Sequence, residues 1–157
     1  MNESLFIREA TSGDAGELTR LYRQLDEGQS LRPVDEQAVS RVLARTHDYP
    51  GYRVLLAVDE GRVVGSFVLV ILEMLGARCA PEAIVEDVVV DRAARGKGIG
   101  RRMMAFAMDE AARTGCYKLV LSSNLERTGA HAFYESLGFR QHGFSFRVDL
   151  RDDDPAV

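Results

Sequence analysis

The sequence predicts a single α/β domain in which one mixed β-sheet carries helices on both faces. Runs of β-branched and aliphatic residues alternate with segments whose apolar residues have helical spacing. One apolar run, residues 84–90, is followed directly by a glycine-rich turn and an amphipathic segment. The predicted order β-α-α-β-β-β-α-β-α-β-β, over residues 5–150, fits neither a doubly wound sheet nor a barrel.

The first half of the chain supplies one strand, two helices and a hairpin. Polar residues at 11–14 can cap a helix, and the segment Asp59–Arg62 contains the glycine of a hairpin turn. The predicted elements are a strand at 5–8, a helix carrying Leu18, Leu21, Tyr22 and Leu25, a loop at 26–34, a helix at 35–46, and strands at 52–58 and 63–75.

The second half alternates strands and helices, and Gly115 and Gly138 each end a helix. Phe144, Phe146, Val148 and Leu150 alternate strictly with other residues, which is typical of a half-buried strand. The predicted elements are a strand at 84–90, a helix carrying Ile99, Met103, Phe106, Ala107 and Ala111, a strand at 117–121, a helix at 128–137, closing strands at Phe139 and 144–150, and an acidic tail at 151–157.

Composition and charge exclude several classes of protein. The chain has 157 residues, 46% of them hydrophobic, and a net charge of −4, which argues against a general nucleic-acid binder. Two cysteines and three histidines show no metal-ligand spacing, so no metal is predicted. Because no signal peptide or membrane-spanning run is recognisable, we expect a cytoplasmic protein that does not bind membranes.

The run Arg95-Gly96-Lys97-Gly98-Ile99-Gly100-Arg101-Arg102 is the most informative motif. It lies where a strand ends and a helix begins, and the first N–H groups of a helix have no partner within it. Those groups and the helix dipole attract anions, and glycines let a bulky anion approach the backbone. Residues 92–102 include five basic residues and no acidic one, so the sequence predicts a binding site for a small polyanion.

The spacing of the glycines excludes two common kinds of phosphate-binding loop. A dinucleotide fingerprint needs a third glycine where Arg101 or Met103 stands, and a P-loop needs glycine at Asp91 and Ser or Thr at Gly98. The remaining pattern, Arg-x-x-Gly-x-Gly at 95–100, resembles the acyl-CoA pyrophosphate loop of the GNAT superfamily of N-acetyltransferases.

Three other segments extend this resemblance over most of the chain. They are Glu86-Asp87-Val88-Val89-Val90-Asp91, Gly115-Cys116-Tyr117-Lys118-Leu119 and Ala130-His131-Ala132-Phe133-Tyr134-Glu135-Ser136-Leu137-Gly138-Phe139. The C-terminal helix region also resembles aminoalkylphosphonate N-acetyltransferases. The resemblance implies the GNAT fold and the activity of an N-acetyltransferase. Such an enzyme transfers an acetyl group from acetyl-CoA to a primary amine of a small molecule. The amine attacks the thioester directly, and no metal takes part.

The resemblance also implies which residues hold acetyl-CoA. Backbone groups of the strand, Val88 and Val90 above all, would bind the acyl carbonyl and the pantetheine amides. Many relatives carry an asparagine where this chain has Arg127, so Asn124 and Arg127 are weaker candidates. The implied cofactor-binding residues are Val88, Val89, Val90, Arg95, Gly96, Lys97, Gly98, Ile99, Gly100, Arg101, Asn124 and Arg127.

Two residues are candidates for catalysis. The amine is mostly protonated near neutral pH and must lose a proton, for which Glu86 is the first choice as general base, directly or through water. A purely structural role for Glu86 fits the sequence equally well, and Asp87 is expected to alternate to the other face of the sheet. The resemblance implies that Tyr134 protonates the leaving thiolate, whereas periodicity alone makes it a core aromatic residue.

The sequence does not determine which amine is the acceptor or which partners the protein binds. Acidic residues of the loop at 26–34 could receive a cationic amine, while Arg23 and Arg32 could receive a phosphonate or carboxylate. The alternatives are a non-catalytic acyl-CoA-binding regulatory module and an enzyme that acetylates a protein or peptide. The predicted closing strand at 144–150 could pair across a homodimer.

Overall fold

The structure is a computed structural model and describes residues 4–25, 34–148 and 150. In chain order the strands and helices are β1 (Phe6–Glu9), α1 (Ala15–Leu25), α2 (Glu36–Thr46), β2 (Tyr52–Asp59), β3 (Arg62–Leu72), β4 (Glu82–Val90), α3 (Ile99–Arg113), β5 (Leu119–Leu121) and α4 (Thr128–Glu135). The predicted tail at 151–157 and most of the predicted loop at 26–34 lie outside the described residues.

The five strands form one sheet in the order β1-β2-β3-β4-β5. The first three pairings are antiparallel and the last, between β4 and β5, is parallel. The sheet is therefore mixed, and the predicted fold class is confirmed. No helix among the described residues is long and apolar enough to cross a membrane, and the cytoplasmic location stays a prediction.

Two hydrophobic cores lie on opposite faces of the sheet. Leu18 and Leu21 of α1 and Val39 of α2 pack on one face against strand residues such as Leu56 and Val68. On the other face, strand and α3 side chains are joined by partly buried residues of α4; the buried members include Leu55, Phe67, Leu69, Val85, Ile99, Met103 and Met104. Strand alternation thus sends one set of side chains to each helical layer.

Gly65 of β3 permits the close approach of α3 to the sheet. A Cβ atom at this position would lie 2.9 Å from the Met103 sulfur and 3.0 Å from the Val89 carbonyl oxygen. The thioether can move, but the carbonyl belongs to the neighbouring strand of the sheet. Any side chain at Gly65 therefore forces α3 or β4 to shift.

We expect Gly65→Ala to lower the free energy of unfolding by about 1–3 kcal/mol, because it overpacks the core. The measurement is chemical denaturation of both proteins. Gly129→Ala is the matched control, since a Cβ there meets nothing within 4 Å and alanine favours the helix by up to about 1 kcal/mol. Equal stability of the wild type and Gly65→Ala would show that the contact relaxes without cost.

The predicted closing strands at Phe139 and 144–150 are wrong for this structure. Residues 139–148 and 150 contain no strand, and Phe144, Phe146, Val148 and Leu150 are each at least 78% exposed. Alternation provides a strand with an apolar face but does not supply the neighbouring backbone that a strand must pair with. Within the described chain, β5 pairs with β4 alone.

Candidate active site

Among the described strands, none pairs with β4 on its β5 side beyond Val85. The parallel pairing covers only Ala83–Val85 of β4 and Leu119–Leu121 of β5. Beyond it, the Asp91 N–H donates to the Val64 carbonyl, so the backbone groups of alternate residues face β3. The polar groups of Val88 and Val90 therefore point into the gap on the β5 side, as expected for residues that bind an extended ligand.

Val89, which was also predicted to bind cofactor, does not reach this gap. It pairs with Ser66 of β3, and its side chain is buried in the core on the α1 and α2 face. The extended segment therefore offers two residues to a ligand along the gap rather than three. The Val90 carbonyl also accepts a hydrogen bond from the Arg95 side chain at 3.2 Å, which joins the gap to the glycine-rich loop.

A β-bulge interrupts β4 beside the gap. Ser66 pairs with Val89 and Val68 with Glu86, so that Asp87 and Val88 together stand opposite one residue of β3. Asp87 has a φ of 53°, a left-handed conformation that aspartate tolerates better than most residues. The extra residue resets the alternation of side chains along the strand.

This bulge corrects the expectation that Asp87 lies on the opposite face from Glu86. Asp87 lines a cavity together with Leu18 and Tyr22 of α1, on the same face as the core formed with α1 and α2. The charge of Asp87 also raises the pKa of the Glu86 carboxyl, so the two carboxylates lie close together. Simple alternation would have separated them.

The glycine-rich loop begins α3 at the end of this strand. Gly96 and Gly98 have φ values of 77° and 79°, which glycine adopts without strain. The first helical hydrogen bond runs from the Arg102 N–H to the Gly98 carbonyl, so the N–H groups of residues 99–101 precede the hydrogen-bonded part of the helix. Arg95, Lys97 and Arg101 are exposed around them. The arrangement suits a phosphate or pyrophosphate group.

Gly100 also has a packing role, and its predicted contact with the cofactor stays a prediction. A Cβ atom there would lie 3.2 Å from the Phe133 ring and 3.7 Å from a Val90 methyl group. Gly100 therefore allows α4 to pack against the start of α3. The packing of Phe133 also fixes the position of its neighbour on α4, Tyr134.

The two residues predicted to act in catalysis, Glu86 and Tyr134, both have raised pKa values. Partial desolvation raises the pKa of the Glu86 carboxyl above its ordinary value, and the Asp87 charge raises it further. Burial raises the pKa of the Tyr134 hydroxyl; the Arg127 charge lowers it, and the Glu86 charge raises it. Glu86 is thus a carboxylate that accepts a proton more readily than usual, and Tyr134 is a phenol that keeps its proton to higher pH.

Asn124 and Arg127 occupy the turn that leads into α4. The Asn124 side-chain oxygen accepts a hydrogen bond from the Glu126 N–H at 2.9 Å, and the Asn124 backbone carbonyl oxygen lies 2.9 Å from Nε2 of His131. These contacts give Asn124 and His131 a structural role in starting the helix. Arg127 acts on the candidate site through its charge on Tyr134.

Comparison with known proteins identifies the fold family. The model of the acetyltransferase (GNAT) family matches residues 17–139, which include the gap, the glycine-rich loop and α4. The chain belongs to the GNAT family.

Two curated relatives of this GNAT chain are named N-acetyltransferases. It is 30% identical over 145 residues to the aminoalkylphosphonate N-acetyltransferase of Salmonella typhimurium, covering 92% of this chain and 90% of that one. It is 38% identical over 90 residues to the glucosamine 6-phosphate N-acetyltransferase of Trypanosoma brucei brucei, covering 57% of this chain and 59% of that one. The matched part thus spans little more than half of the second relative's length.

The solved structure of an Agrobacterium tumefaciens protein assigned as an acetyltransferase has a TM-score of 0.84 and 33% identity, covering 92% of this GNAT chain and 99% of that chain.

Sequence reasoning missed three residues of this GNAT site: Asp87 as a cavity residue, and Tyr22 and Tyr52 as its neighbours. The Asp87 charge contributes to raising the pKa of both tyrosines, in each case after burial. Two adjacent acids within an otherwise apolar strand, Glu86 and Asp87, were the available signal. Strict alternation would bury one of the two carboxylates in a hydrophobic core. A bulge at Asp87 avoids the free-energy cost of burying that charge.

Proposed function

We propose that this chain transfers the acetyl group of acetyl-CoA to a primary amine of a small molecule. The observation that carries the proposal is the gap beside Val88 and Val90, which leads to the glycine-rich loop. Glu86 lies on the same strand, and Tyr134 follows Phe133, whose ring packs at Gly100 near Val90. The pantetheine arm would extend along β4 as an additional strand-like ligand, and the pyrophosphate would lie on the start of α3.

The proposed reaction combines one nucleophilic attack with proton transfers before and after it. Glu86, directly or through water, takes a proton from the ammonium group, and the amine nitrogen attacks the thioester carbonyl. When the tetrahedral intermediate collapses, the C–S bond breaks and its electron pair leaves with sulfur, which takes a proton from Tyr134. The nitrogen passes its extra proton to the tyrosinate, which restores the hydroxyl, and Glu86 releases its proton to solvent. The net products are an N-acetyl amine, CoA and one proton.

Thiol release tests the proposal. The purified chain is mixed with acetyl-CoA and a panel of primary amines, and free thiol and acetylated amine are measured together. Equal amounts of both products are expected. Tight acetyl-CoA binding without acceptor-dependent thiol release over the whole panel would overturn the proposal in favour of a binding module.

We expect Lys97→Glu to raise the dissociation constant of acetyl-CoA by about tenfold or more, because it replaces attraction to the phosphates with repulsion. Calorimetric titration at low and high salt measures the effect, which should shrink as salt screens the charges. Arg41→Glu, on the exposed side of α2, makes the same charge change and is expected to leave the constant unaltered. An equal loss of acetyl-CoA affinity in both variants would indicate a long-range electrostatic effect of the whole protein rather than a local phosphate-binding site.

We also propose that two copies associate through the C-terminal segment. Phe144, Phe146, Val148 and Leu150 form an exposed apolar row, and β5 has a neighbour on one side only among the described strands. Pairing with a second copy would cover both. Light scattering is expected to give twice the chain mass, and a monomeric mass at assay concentrations would overturn the association.

A further inference from the structure

Residues 91–94 connect β4 to the glycine-rich loop, and two side chains of α1 hold this connection. The Arg20 guanidinium forms an ion pair with the Asp91 carboxylate. About one turn further along α1, the Gln24 side-chain oxygen accepts a hydrogen bond from the Arg92 N–H at 2.8 Å. Because Arg20 and Gln24 are four residues apart, they lie on the same face of the helix. Together they form a clamp, the α1 clamp, on the chain that leads into the loop.

Asp91 is the buried centre of this connection. Its side chain accepts a hydrogen bond from the Ala93 N–H at 3.0 Å, and its own N–H donates to the Val64 carbonyl of β3 at 2.8 Å. Burial alone would raise the pKa of the Asp91 carboxyl, but interactions with the Ala93 N–H, with Arg20 and with Gln24 hold that pKa below its ordinary value. Asp91 is therefore charged near neutral pH and is fixed between α1, β3 and the turn.

The glycine-rich loop depends on its two ends for its conformation. Glycine loses more conformational freedom on ordering than any other residue, and Gly96 and Gly98 both lie between Ala94 and Ile99. Ala94 and Ile99 are buried in the core formed with α3, so they anchor the chain before and after the loop. The α1 clamp holds the turn that carries the first of these anchors. A loop that is ordered before binding loses less entropy when it accepts a phosphate group.

A second ion pair of similar burial provides a comparison. Arg8 of β1 pairs with Asp14 through two hydrogen bonds of 2.8 and 2.7 Å. The side chains of Arg8 and Asp14 are 37% and 11% exposed, against 38% and 12% for those of Arg20 and Asp91. However, β1 lies three positions away from β4 in the sheet, and the Arg8–Asp14 pair joins β1 to the start of α1. The two pairs thus differ mainly in whether they hold the chain that leads into the glycine-rich loop.

We propose that Arg20 and Gln24 are positioning residues for acetyl-CoA, which hold the turn at 92–94 so that the N–H groups at the start of α3 meet the pyrophosphate. The proposal rests on the proposed function, because it takes the glycine-rich loop as the phosphate site. Both residues act through the backbone of the turn rather than on the reacting atoms. Arg20 also neutralises Asp91, whose carboxylate would otherwise repel the phosphate groups.

Two variants of the clamp test the proposal. Arg20→Ala and Gln24→Met, which removes the side-chain amide, are each expected to raise the dissociation constant of CoA about five- to tenfold. Calorimetric titration measures this constant at a temperature at which every variant is folded. The kcat at saturating acetyl-CoA should stay within about twofold of the wild type, because only binding is weakened. Amide hydrogen exchange of the Arg92 N–H should be faster in free Gln24→Met than in the wild type.

Arg8→Ala is the matched control for a purely structural effect. It should lower the Tm about as much as Arg20→Ala and leave the dissociation constant of CoA unchanged. An equal loss of CoA affinity in Arg8→Ala and Arg20→Ala would attribute the loss to general destabilisation and overturn the proposal. Faster exchange of the Arg92 N–H in Gln24→Met with unaltered CoA affinity would also overturn it, because the clamp would then hold the turn without serving the cofactor.

The wild-type chain separates this inference from the proposed function. Unchanged CoA affinity in both Arg20→Ala and Gln24→Met would overturn the role of the α1 clamp and leave the transferase intact. A wild-type chain that binds CoA without acceptor-dependent thiol release would contradict the transferase alone, and weaker CoA binding by the two variants would support the clamp even then. A wild-type chain that does not bind CoA would overturn both.

Discussion

Glu86→Gln is expected to lower kcat/KM for the acceptor by about 100-fold or more, since general-base catalysis commonly contributes about 10²–10⁴-fold. Glutamine preserves the size of the side chain but cannot take the proton of the ammonium group. Acetyl-CoA affinity should stay within twofold of the wild type, because the carboxylate faces the α1 and α2 side rather than the cofactor loop. Steady-state kinetics and calorimetric titration measure the two quantities separately.

The pH dependence supplies a sharper test of Glu86. Its carboxyl pKa is raised, so the protonated, inactive form persists to higher pH than for an ordinary glutamate. The wild-type kcat/KM should therefore fall as the pH decreases through that raised pKa. In Glu86→Gln this fall of kcat/KM at acidic pH should disappear, while the change in kcat/KM that accompanies deprotonation of the amine substrate remains. An acidic limb that persists in the variant would assign the base to another group.

Asp87→Asn provides the contrast within the same pair of carboxylates. Asp87→Asn removes the neighbouring charge that raises the pKa of the Glu86 carboxyl, so the fall of kcat/KM at acidic pH is expected to move to lower pH while kcat at neutral pH changes little. Glu73→Gln, at an exposed position outside the strands, controls for the loss of one negative charge. Equal effects of the Glu86 and Asp87 variants on kcat would instead indicate one shared proton acceptor.

The sequence predicted the elements of the fold better than it predicted their ends and partners. Helical and strand periodicities located α1 to α4 and β1 to β5, because each element buries one face or both against a neighbour. The segment at 144–150 has an equally clear alternation and forms no strand in the described chain. Pairing depends on a second backbone, and local patterning carries no information about where that backbone lies.

The candidate site was predictable where it depended on local backbone chemistry. The sequence predicted a helix that starts within the glycine-rich run, and α3 begins at Ile99. Contacts between distant segments were not predictable. The approach of Phe133 to Gly100 and the bulge that turns Asp87 toward α1 depend on tertiary packing and on strand register.

Tyr134→Phe is expected to lower kcat by about 100-fold with little change in the affinity for acetyl-CoA, again within the usual range for acid catalysis. The ring is half-buried, with its centroid 5.2 Å from that of Phe133 and 5.7 Å from that of Phe139. Phenylalanine preserves this packing and removes only the hydroxyl. The free energy of unfolding should therefore change by less than about 1 kcal/mol.

A leaving-group comparison separates acid catalysis by Tyr134 from a positional effect. A thioester whose thiol has a lower pKa needs less protonation as the C–S bond breaks, so Tyr134→Phe should lose less activity with such a donor than with acetyl-CoA. Phe139→Leu alters the packing of the same ring without touching the hydroxyl and is the matched control. Its activity should fall to a similar degree with both donors. A Tyr134→Phe defect that is equally large with both donors would assign the hydroxyl to holding the thioester in place rather than to protonating the thiolate.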